Sequence, residues 1–209
     1  MIRLLVIDDH AVVRGGIRHV VQETGDIVVA AEAASGAEAL EKADREEFDV
    51  VLLDISMPGR GGLEVLKELR QRSVKAPVLI LSIFPEEQYA VRALRSGAAG
   101  YLTKESAPEE LIVAIRKVAS GGKYVSATLA ERLATTLATP SGGLLHEQLS
   151  DREYQIMCMM ASGKTQSQIA DELALSVKTI STYRSRIIAK MGLKSNAEIT
   201  RYAIENRLV

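Results

Sequence analysis

The feature that most constrains this chain is a short apolar run that ends in an acid and a turn. Val50–Leu53 are all apolar, Asp54 follows them directly, and Met57-Pro58-Gly59 then forces a change of direction. A short, continuously apolar run is typical of a strand that is buried on both faces of a parallel sheet. Since the carboxyl ends of strands line the functional crevice of such a sheet, we expect Asp54 at the mouth of that crevice. An isolated carboxylate there needs a cation, although a capping Asp in a strand–helix loop has the same local pattern.

Short apolar runs and amphipathic stretches alternate along the first 120 residues. The predicted strands are 2–7, 27–31, 50–53, 77–81 and 100–102, and the predicted helices end near 23, 46, 72, 96 and 120. The fourth of these helices is expected to begin near Gln88, and the fifth at a capping box formed by Ser106 and Glu109. This alternation predicts an α/β fold, a five-stranded, doubly wound parallel sheet with right-handed crossovers and the flavodoxin-like strand order.

Polar residues follow the ends of four of the five predicted strands. They are Asp8, Asp9, Asp54, Ser82 and Lys104. Three carboxylates that converge on one crevice repel each other and need a cation, and hard oxygen ligands suit Mg²⁺. A positioned carboxylate can also attack phosphorus and form an aspartyl phosphate. In that reaction Lys104 can neutralise one phosphate oxygen and the Ser82 hydroxyl can donate to another.

The C-terminal part of the chain predicts an all-α domain of four short helices over 146–209. Capping boxes that begin at Ser150, Thr165 and Ser195 mark the starts of three of these helices. The second helix and a longer helix that ends at Met191 are joined by a tight turn, and the longer one is basic. This is the layout of a helix-turn-helix.

These patterns predict three segments. The first, 1–121, is the α/β domain, and 146–209 is the helix-turn-helix domain. The linker, 122–145, is expected to contain a helix near 127–137 and a flexible break at 139–143, where proline, serine and two glycines occur together.

The long basic helix is predicted to have a core face and a DNA-binding face. Five basic residues and no acid lie between Lys178 and Ala197. The expected core residues are Val177, Ile180, Ile187, Ile188 and Met191, and the opposite face carries Lys178, Thr179, Thr182, Ser185, Arg186 and Lys190. The N-terminal residues of this face would meet base edges in the major groove, while Arg186, Lys190 and Lys194 are placed for phosphates.

The roles of two residues of the same helix are not decided by the sequence. Tyr183 would either contact a DNA phosphate or pack beside the core, and Arg184 lies at the edge of the core face without an assigned role. The pattern alone favours neither alternative.

The composition is that of a soluble globular protein, with 47% hydrophobic residues and a formal net charge of −1. No apolar run approaches the roughly 18 residues of a membrane span, and the first residues enter a strand rather than a signal peptide. The single cysteine, Cys158, argues against a disulfide framework and favours the reducing cytoplasm. The three histidines, His10, His19 and His146, lack metal-ligand spacing, so we assign no chemistry to them.

With these motifs in order, the chain resembles the response regulators of two-component systems, and among them the NarL/FixJ group, which joins a receiver domain to a LuxR-type helix-turn-helix effector. The receiver motifs, over roughly 1–120, are Asp8-Asp9, Asp54-x-x-Met57-Pro58-Gly59, Ser82, Tyr101 and Lys104. The effector motifs, over 146–209, are Leu149-Ser-Asp-Arg-Glu153, Ile169-Ala170 and Ser176-Val-Lys-Thr179. Each motif is weak alone, but their order is specific. One departure is Glu105, since many receivers have proline after the lysine.

The resemblance implies a phosphorylation-controlled, DNA-binding transcriptional regulator and not a turnover enzyme. Asp54 would accept a phosphoryl group from the phosphohistidine of a sensor histidine kinase. Asp9, Asp54 and the Ser56 carbonyl would hold Mg²⁺, with Asp8 helping directly or through water. Ser82 and Tyr101 would form the switch pair that registers phosphorylation.

Assembly and partners are also expected. A single small helix-turn-helix buries little surface on DNA, so we expect a homodimer on inverted half-sites of double-stranded DNA, favoured by phosphorylation. The resemblance implies pairing through the last helix, a receiver face or both, and RNA polymerase is a further candidate partner.

Two rival functions belong to other classes. A magnesium-dependent phosphatase of the haloacid-dehalogenase type usually has a second Asp two residues after its nucleophile, where this chain has Ser56. A stand-alone phosphorelay carrier would lack the effector half.

Neither Ser56 nor Phe84, two residues after Ser82, is a carboxylate or an amide that would hold an attacking water, so we expect slow self-dephosphorylation.

Overall fold

The computed structural model describes residues 1–138 and 144–209, so the predicted break at 139–143 lies outside the described residues. The chain divides into two units, Met1–Leu133 and Ala134–Val209. No helix within the described ranges is long and apolar enough to cross a membrane.

The first unit is built on a five-stranded parallel sheet. Its strands are β1 (Ile2–Ile7), β2 (Ile27–Ala33), β3 (Val50–Leu53), β4 (Val78–Ser82) and β5 (Gly100–Thr103), in the spatial order β2-β1-β3-β4-β5. Every residue of β3 and of β4 is buried, as expected for strands covered on both faces. The sheet and its flavodoxin-like order confirm the fold predicted from the sequence.

Helices follow each strand of this sheet. They are α1 (Ala11–Gln22), α2 (Gly36–Arg45), α3 (Gly62–Gln71), α4 (Glu86–Arg95) and α5 (Pro108–Ala119). Side chains of alternate strand residues, such as Leu4, Val6 and Leu52, join residues of α1 and α5 in one hydrophobic cluster. Because successive strand residues point to opposite faces, the same strands also bury a second set against the other side of the sheet.

The predicted starts of α4 and α5 need correction. The fourth helix begins at Glu86, two residues before the predicted Gln88. The fifth begins at Pro108, its N-cap is Ala107, and no side chain caps it, so the predicted Ser106 capping box is wrong. Proline at the first helical position has no N–H that needs a partner, and it holds the preceding residue in an extended conformation.

Part of the predicted linker packs on the first unit. A sixth helix, α6 (Ala127–Ala138), follows an extended segment in which Tyr124 forms a parallel bridge with Gly100. The Tyr124 N–H donates to the Ala99 carbonyl over 2.9 Å, and Leu129 is only 1% exposed. Residues 124–129 therefore extend the sheet and its core.

The second unit contains a 3₁₀ turn (Leu145–Gln148) and four helices. They are α7 (Asp151–Ala161), α8 (Gln166–Glu172), α9 (Val177–Met191) and α10 (Asn196–Glu205). Ser150 and Thr165 complete two of the three predicted capping boxes. Ser195 caps α10 by accepting the N–H of Glu198, but the Glu198 carboxylate accepts the Lys194 N–H rather than the Ser195 N–H, so the third box is incomplete. These contacts confirm the predicted helix starts.

The core face of α9 is mostly as predicted. Ile180, Ile187 and Met191 are buried, and Ile188 is half-buried. Val177, however, is 47% exposed, so its assignment to the core is wrong. It occupies the first position of the helix, where side chains tilt toward the N-terminal end and project beyond the packed turns.

The closest backbone approach at the acidic end of the sheet involves Gly62, at the start of α3. A Cβ added at this glycine would lie 2.1 Å from the carbonyl oxygen of Asp54 and 2.5 Å from Cα of Ile55. Since both neighbours are backbone atoms of the loop after β3, no side-chain rotation can relieve the clash. This position therefore requires glycine.

We predict that Gly62→Ala destabilises the first unit by about 1–3 kcal/mol because of this overpacking. The matched control is Gly15→Ala inside α1, where an added Cβ meets nothing within 4 Å. Removing an interior helical glycine should stabilise the unit by roughly 0.5–1 kcal/mol. Urea unfolding of the full chain, followed by circular dichroism, measures both. Equal midpoints for the two variants would show that the contact at Gly62 is not rigid.

Candidate functional site

Three of the predicted site residues meet at the carboxyl end of the sheet through one ammonium group. Nζ of Lys104, which follows β5, lies 2.6 Å from Oδ2 of Asp8 and 2.8 Å from Oδ2 of Asp54. Asp8 follows β1 and Asp54 follows β3, and their exposed fractions are only 2% and 1%. The lysine side chain therefore spans β4 to reach carboxylates on two other strands.

The second oxygen of Asp54 is held by its own loop. Oδ1 accepts the backbone N–H of Ser56 over 2.8 Å. Burial raises the pKa of Asp54 above its ordinary value, although the hydrogen bond from Lys104 opposes the change. For Lys104 burial lowers the pKa, but the hydrogen bonds to Asp54 and Asp8 outweigh burial, so the net direction is upward. One ammonium thus compensates the buried charge of Asp54 only in part, which favours a further cation.

The donor set at this crevice fits a hard divalent cation. Ligand atoms of Asp8, Asp9, His10 and Asp54 all lie within 4.8 Å of one another. Oδ1 of Asp9 is buried and accepts no hydrogen bond, and its nearest polar neighbour is Nδ1 of His10 at 3.0 Å. A buried, unpartnered carboxylate oxygen is costly unless a ligand satisfies it. Oxygen donors of this kind, with only a few protein contacts, suit Mg²⁺.

His10 is a member of this cluster that the sequence analysis left out. Its backbone N–H donates to Oδ1 of Asp8 over 2.8 Å, and its Nδ1 lies 3.3 Å from the same oxygen. The sequence analysis assigned it no chemistry because the histidines lack metal-ligand spacing, and the structure places its largely exposed ring beside the acids. Its position directly after Asp8 and Asp9 is the signal that would have placed it near the site.

Arg14 is a second missed residue. Its guanidinium donates to the backbone carbonyl of Asp8 over 2.7 Å and to Glu32 over 2.9 Å. These bonds tie the acidic loop to α1 and β2. No local pattern distinguishes this arginine from a solvent-facing one, because its partners come from two other parts of the chain.

The predicted switch residues lie together beside the crevice. The Ser82 hydroxyl accepts the N–H of Phe84 over 3.1 Å, and the Tyr101 hydroxyl donates to the Phe84 carbonyl over 2.9 Å. Burial strongly raises the pKa of Tyr101, while its hydrogen bond with Ser82 opposes the change. The Phe84 ring packs on Tyr89, with ring centroids 4.9 Å apart. Phe84 therefore links the two switch residues through its backbone.

The face of α9 that is predicted to contact DNA is exposed along most of its length. Lys178, Thr182, Ser185, Arg186 and Lys190 are exposed, and Thr179 is half-buried. The Thr182 hydroxyl donates to the Lys178 carbonyl over 3.0 Å, so it is held within the helix itself. A basic helix face of this kind is what major-groove binding requires.

Arg184 and Tyr183, whose roles the sequence left undecided, both have side-chain partners. Nε of Arg184 donates to Oδ1 of Asn196 over 2.7 Å, which ties α9 to the start of α10. Tyr183 is half-buried, and the guanidinium of Arg186 lies 5.9 Å from its ring centroid. Both contacts orient the basic face.

Lys190 has a structural partner that the sequence did not reveal. Its ammonium lies 2.6 Å from Oε2 of Glu153, a carboxylate that is 4% exposed and also accepts the Ser150 N–H. Burial alone would raise the pKa of Glu153, but the hydrogen bonds from Lys190 and Ser150 outweigh burial and lower it. Lys190 therefore helps to hold α7 against α9.

Family comparisons agree with both halves of this architecture. The response regulator receiver domain matches residues 4–116, and the luxR family of bacterial regulatory proteins matches residues 147–203. Response regulator UvrY of Escherichia coli K12 is 36% identical over 209 residues, which cover 100% of this chain and 96% of UvrY.

Solved structures show the same architecture. The response regulator ChrA of a heme-sensing two-component system is 32% identical, with a TM-score of 0.54 over 100% of this chain and 98% of ChrA. RcsB of Salmonella enterica serovar Typhimurium, solved on rprA promoter DNA with the phosphomimetic BeF₃⁻, is 22% identical, with a TM-score of 0.65. That match covers 96% of this chain and 97% of RcsB, and at this identity it concerns the fold alone.

A parallel sheet with an acidic crevice, joined to a helix-turn-helix unit, defines a phosphorylation-controlled transcription regulator. The chain belongs to the response regulators of two-component systems, with a receiver domain followed by a luxR-family domain of the NarL/FixJ type.

Proposed function

We propose that Asp54 is the phosphoacceptor of this response regulator and that a sensor histidine kinase is the donor. The observation that carries the proposal is the buried Asp54 carboxylate, held between the Lys104 ammonium and the Ser56 N–H. In the transfer, a carboxylate oxygen of Asp54 bonds to phosphorus while the P–N bond of the phosphohistidine breaks. The departing imidazole nitrogen keeps the electron pair of that bond.

The remaining crevice residues have distinct roles in this proposal. Asp8, Asp9, Asp54 and the Ser56 carbonyl would hold Mg²⁺, which supplies neutralisation of the phosphoryl charge. Lys104 neutralises one phosphoryl oxygen, and the Ser82 hydroxyl donates to another. The Ser82 oxygen is drawn toward Asp54 in this step, which lengthens its 3.1 Å bond from the Phe84 N–H, and Tyr101 responds through the Phe84 carbonyl. No residue of the crevice is assigned to a second substrate, so the transfer is a single modification and not turnover.

The second unit is proposed to bind double-stranded DNA through α9. Lys178, Thr179 and Thr182 would face base edges, while Arg186, Lys190 and Tyr183 would contact the phosphate backbone. Lys190 can donate to a DNA phosphate and to Glu153 at the same time, because an ammonium has three donors and this side chain is 43% exposed beside Glu153.

Assembly, location and segment limits complete the proposal. A homodimer, favoured by phosphorylation, would pair two effector units on inverted half-sites, with α10 as one contact surface. The proposed setting is the cytoplasm, and RNA polymerase is the proposed downstream partner. The proposed segments are a receiver over 1–121, a linker over 122–145 and an effector over 146–209.

The acceptor assignment is tested by labelling with acetyl phosphate and Mg²⁺. We expect Asp54→Ala to abolish the label, because the attacking carboxylate is gone, and Asp9→Ala to weaken it through loss of a metal ligand. The control is Asp49→Asn, at the opposite end of β3, where an amide oxygen can still accept the Arg3 N–H. Phosphate-affinity gel electrophoresis measures the labelled fraction. Full labelling of Asp54→Ala, or an acid-stable label, would contradict the assignment.

The DNA assignment is tested by comparing two exposed cations of α9. Lys178→Ala should lower the ratio of specific to nonspecific affinity, because a good base contact provides about 1–3 kcal/mol of discrimination. Arg186→Ala should weaken all sequences alike and reduce the salt slope by about 1. Lys190→Ala is unsuitable, because it also leaves Glu153 without its cation. Gel shifts on operator and random DNA over a salt series provide both quantities, and an unchanged ratio for Lys178→Ala would refute the placement of α9.

Phosphoryl loss is predicted to be slow, with the modified state lasting many minutes. Neither the Ser56 hydroxyl nor the Phe84 ring holds an attacking water in line, and the ring is packed on Tyr89. Ser56→Asn and Phe84→Glu should each accelerate decay about 10-fold by positioning water. Phe84→Leu is the apolar control and should leave decay slow. The measurement is loss of acid-labile phosphate from purified protein with Mg²⁺ and without kinase, and decay within seconds in the unchanged chain would disprove the prediction.

A further inference from the structure

The N-terminal end of α6 depends on a single serine with two partners. The Ser126 hydroxyl accepts the backbone N–H of Leu129 over 3.0 Å, and the Ser126 carbonyl accepts the N–H of Ala130 over 3.0 Å. This is the geometry of an N-cap, which satisfies one of the free N–H groups of the first turn. The same hydroxyl donates to the carboxylate of Glu86. Ser126 therefore joins the start of α6 to another helix of the receiver.

Residues on both sides of Ser126 are anchored. On one side, the Tyr124 N–H donates to Ala99, and its hydroxyl donates to Glu110 over 2.7 Å. On the other side, Leu129 is buried. These contacts fix the backbone on both sides of Ser126. A movement of Glu86 therefore changes the hydrogen bond between Ser126 and Glu86 and leaves the backbone around Ser126 in place.

Glu86 lies in the first turn of α4, four residues after the switch residue Ser82. The intervening loop is held by the bonds that Phe84 makes to Ser82 and Tyr101. The Ser82 hydroxyl has two uses, since it now accepts the Phe84 N–H and would serve the phosphoryl group of Asp54. Donation alone would not break the bond from Phe84, because a hydroxyl can donate and accept at once. Movement of the Ser82 oxygen toward a phosphoryl group on Asp54 would lengthen this 3.1 Å bond and loosen the start of α4.

We propose that the Glu86–Ser126 hydrogen bond couples the phosphoryl site to the start of α6, and that phosphorylation of Asp54 weakens it. The inference rests on the proposed function, because it requires Ser82 to turn toward a phosphoryl group. When the Ser82 oxygen moves toward Asp54, the first turn of α4 shifts, Glu86 withdraws, and the Ser126 hydroxyl is free to rotate away from the Leu129 N–H. The cap of the helix that leaves the receiver thus becomes sensitive to phosphorylation.

Hydrogen exchange of the Leu129 amide in the full chain measures this coupling directly. We expect beryllofluoride with Mg²⁺, as a phosphoryl mimic, to accelerate exchange of this amide about fivefold, at the lower end of ordinary coupling strengths. Coupling is reciprocal, so Glu86→Ala should tighten beryllofluoride binding by the same factor and leave Leu129 exchange unresponsive to it.

Two further variants separate the effect of the Glu86–Ser126 hydrogen bond from the effect of the N-cap on the Leu129 N–H. Ser126→Asp keeps a strong N-cap residue but places a carboxylate against Glu86, so it should match Glu86→Ala in both measurements. It also carries the test if Glu86→Ala fails to fold. The matched control is Glu109→Ala, which removes an exposed acid from the first turn of α5 and should behave like the unchanged chain.

The outcomes distinguish the two proposals. If acetyl phosphate labels Asp54 but beryllofluoride leaves Leu129 exchange unchanged, the coupling is overturned and the phosphoacceptor assignment stands. Equal beryllofluoride affinity of Glu86→Ala, Ser126→Asp and the unchanged chain would also overturn the coupling. If Asp54 takes no label and beryllofluoride does not bind, the proposed function fails, and the inference fails with it.

Discussion

The Lys104 ammonium, placed between Asp8 and Asp54, is the interaction on which the receiver site depends. Two nearly fully buried carboxylates at neighbouring strand ends would repel each other strongly without it. Because Lys104 follows β5, its ion pairs also hold together strand ends that are not adjacent in the sheet. One cation does not neutralise three acids, however, and the buried oxygen of Asp9 accepts no hydrogen bond and lies within 4.8 Å of ligand atoms of Asp8, His10 and Asp54. This charge balance supports the proposal that the site binds a metal ion and a phosphoryl group.

The sequence was sufficient to predict this crevice because its members follow from two local rules. Buried parallel strands appear as apolar runs, and the residue after each run is placed at one edge of the sheet. Asp8, Asp54 and Ser82 directly follow such runs, and Lys104 comes one residue later, so their meeting was expected. Helix caps at Ser150, Thr165 and Ser195 were equally predictable, since a capping box depends on residues only three positions apart.

What escaped prediction depends on contacts between distant residues or on geometry at a helix end. Lys190 and Glu153 are 37 residues apart, and nothing near either residue marks it as a partner of the other. The bonds of Arg14 to Asp8 and Glu32 also come from tertiary packing. Ser106 has the pattern of a cap, but Pro108 at the first helical position makes Ala107 the N-cap. Val177 has the periodicity of a core residue but lies beyond the packed turns of α9.

The contact between Gly62 and the Asp54 carbonyl has a consequence for how the receiver can respond. On that side of the crevice, backbone lies directly against backbone, so the loop after β3 has no room to yield. On the opposite side, the loop after β4 is held by two exchangeable hydrogen bonds at Phe84. The loop after β3 is therefore the rigid side of the crevice, and the loop after β4 is the side that can move. A displacement caused by a phosphoryl group on Asp54 would therefore be directed toward α4, and the direction of the proposed signal would follow from this difference in stiffness rather than from the chemistry of the acceptor.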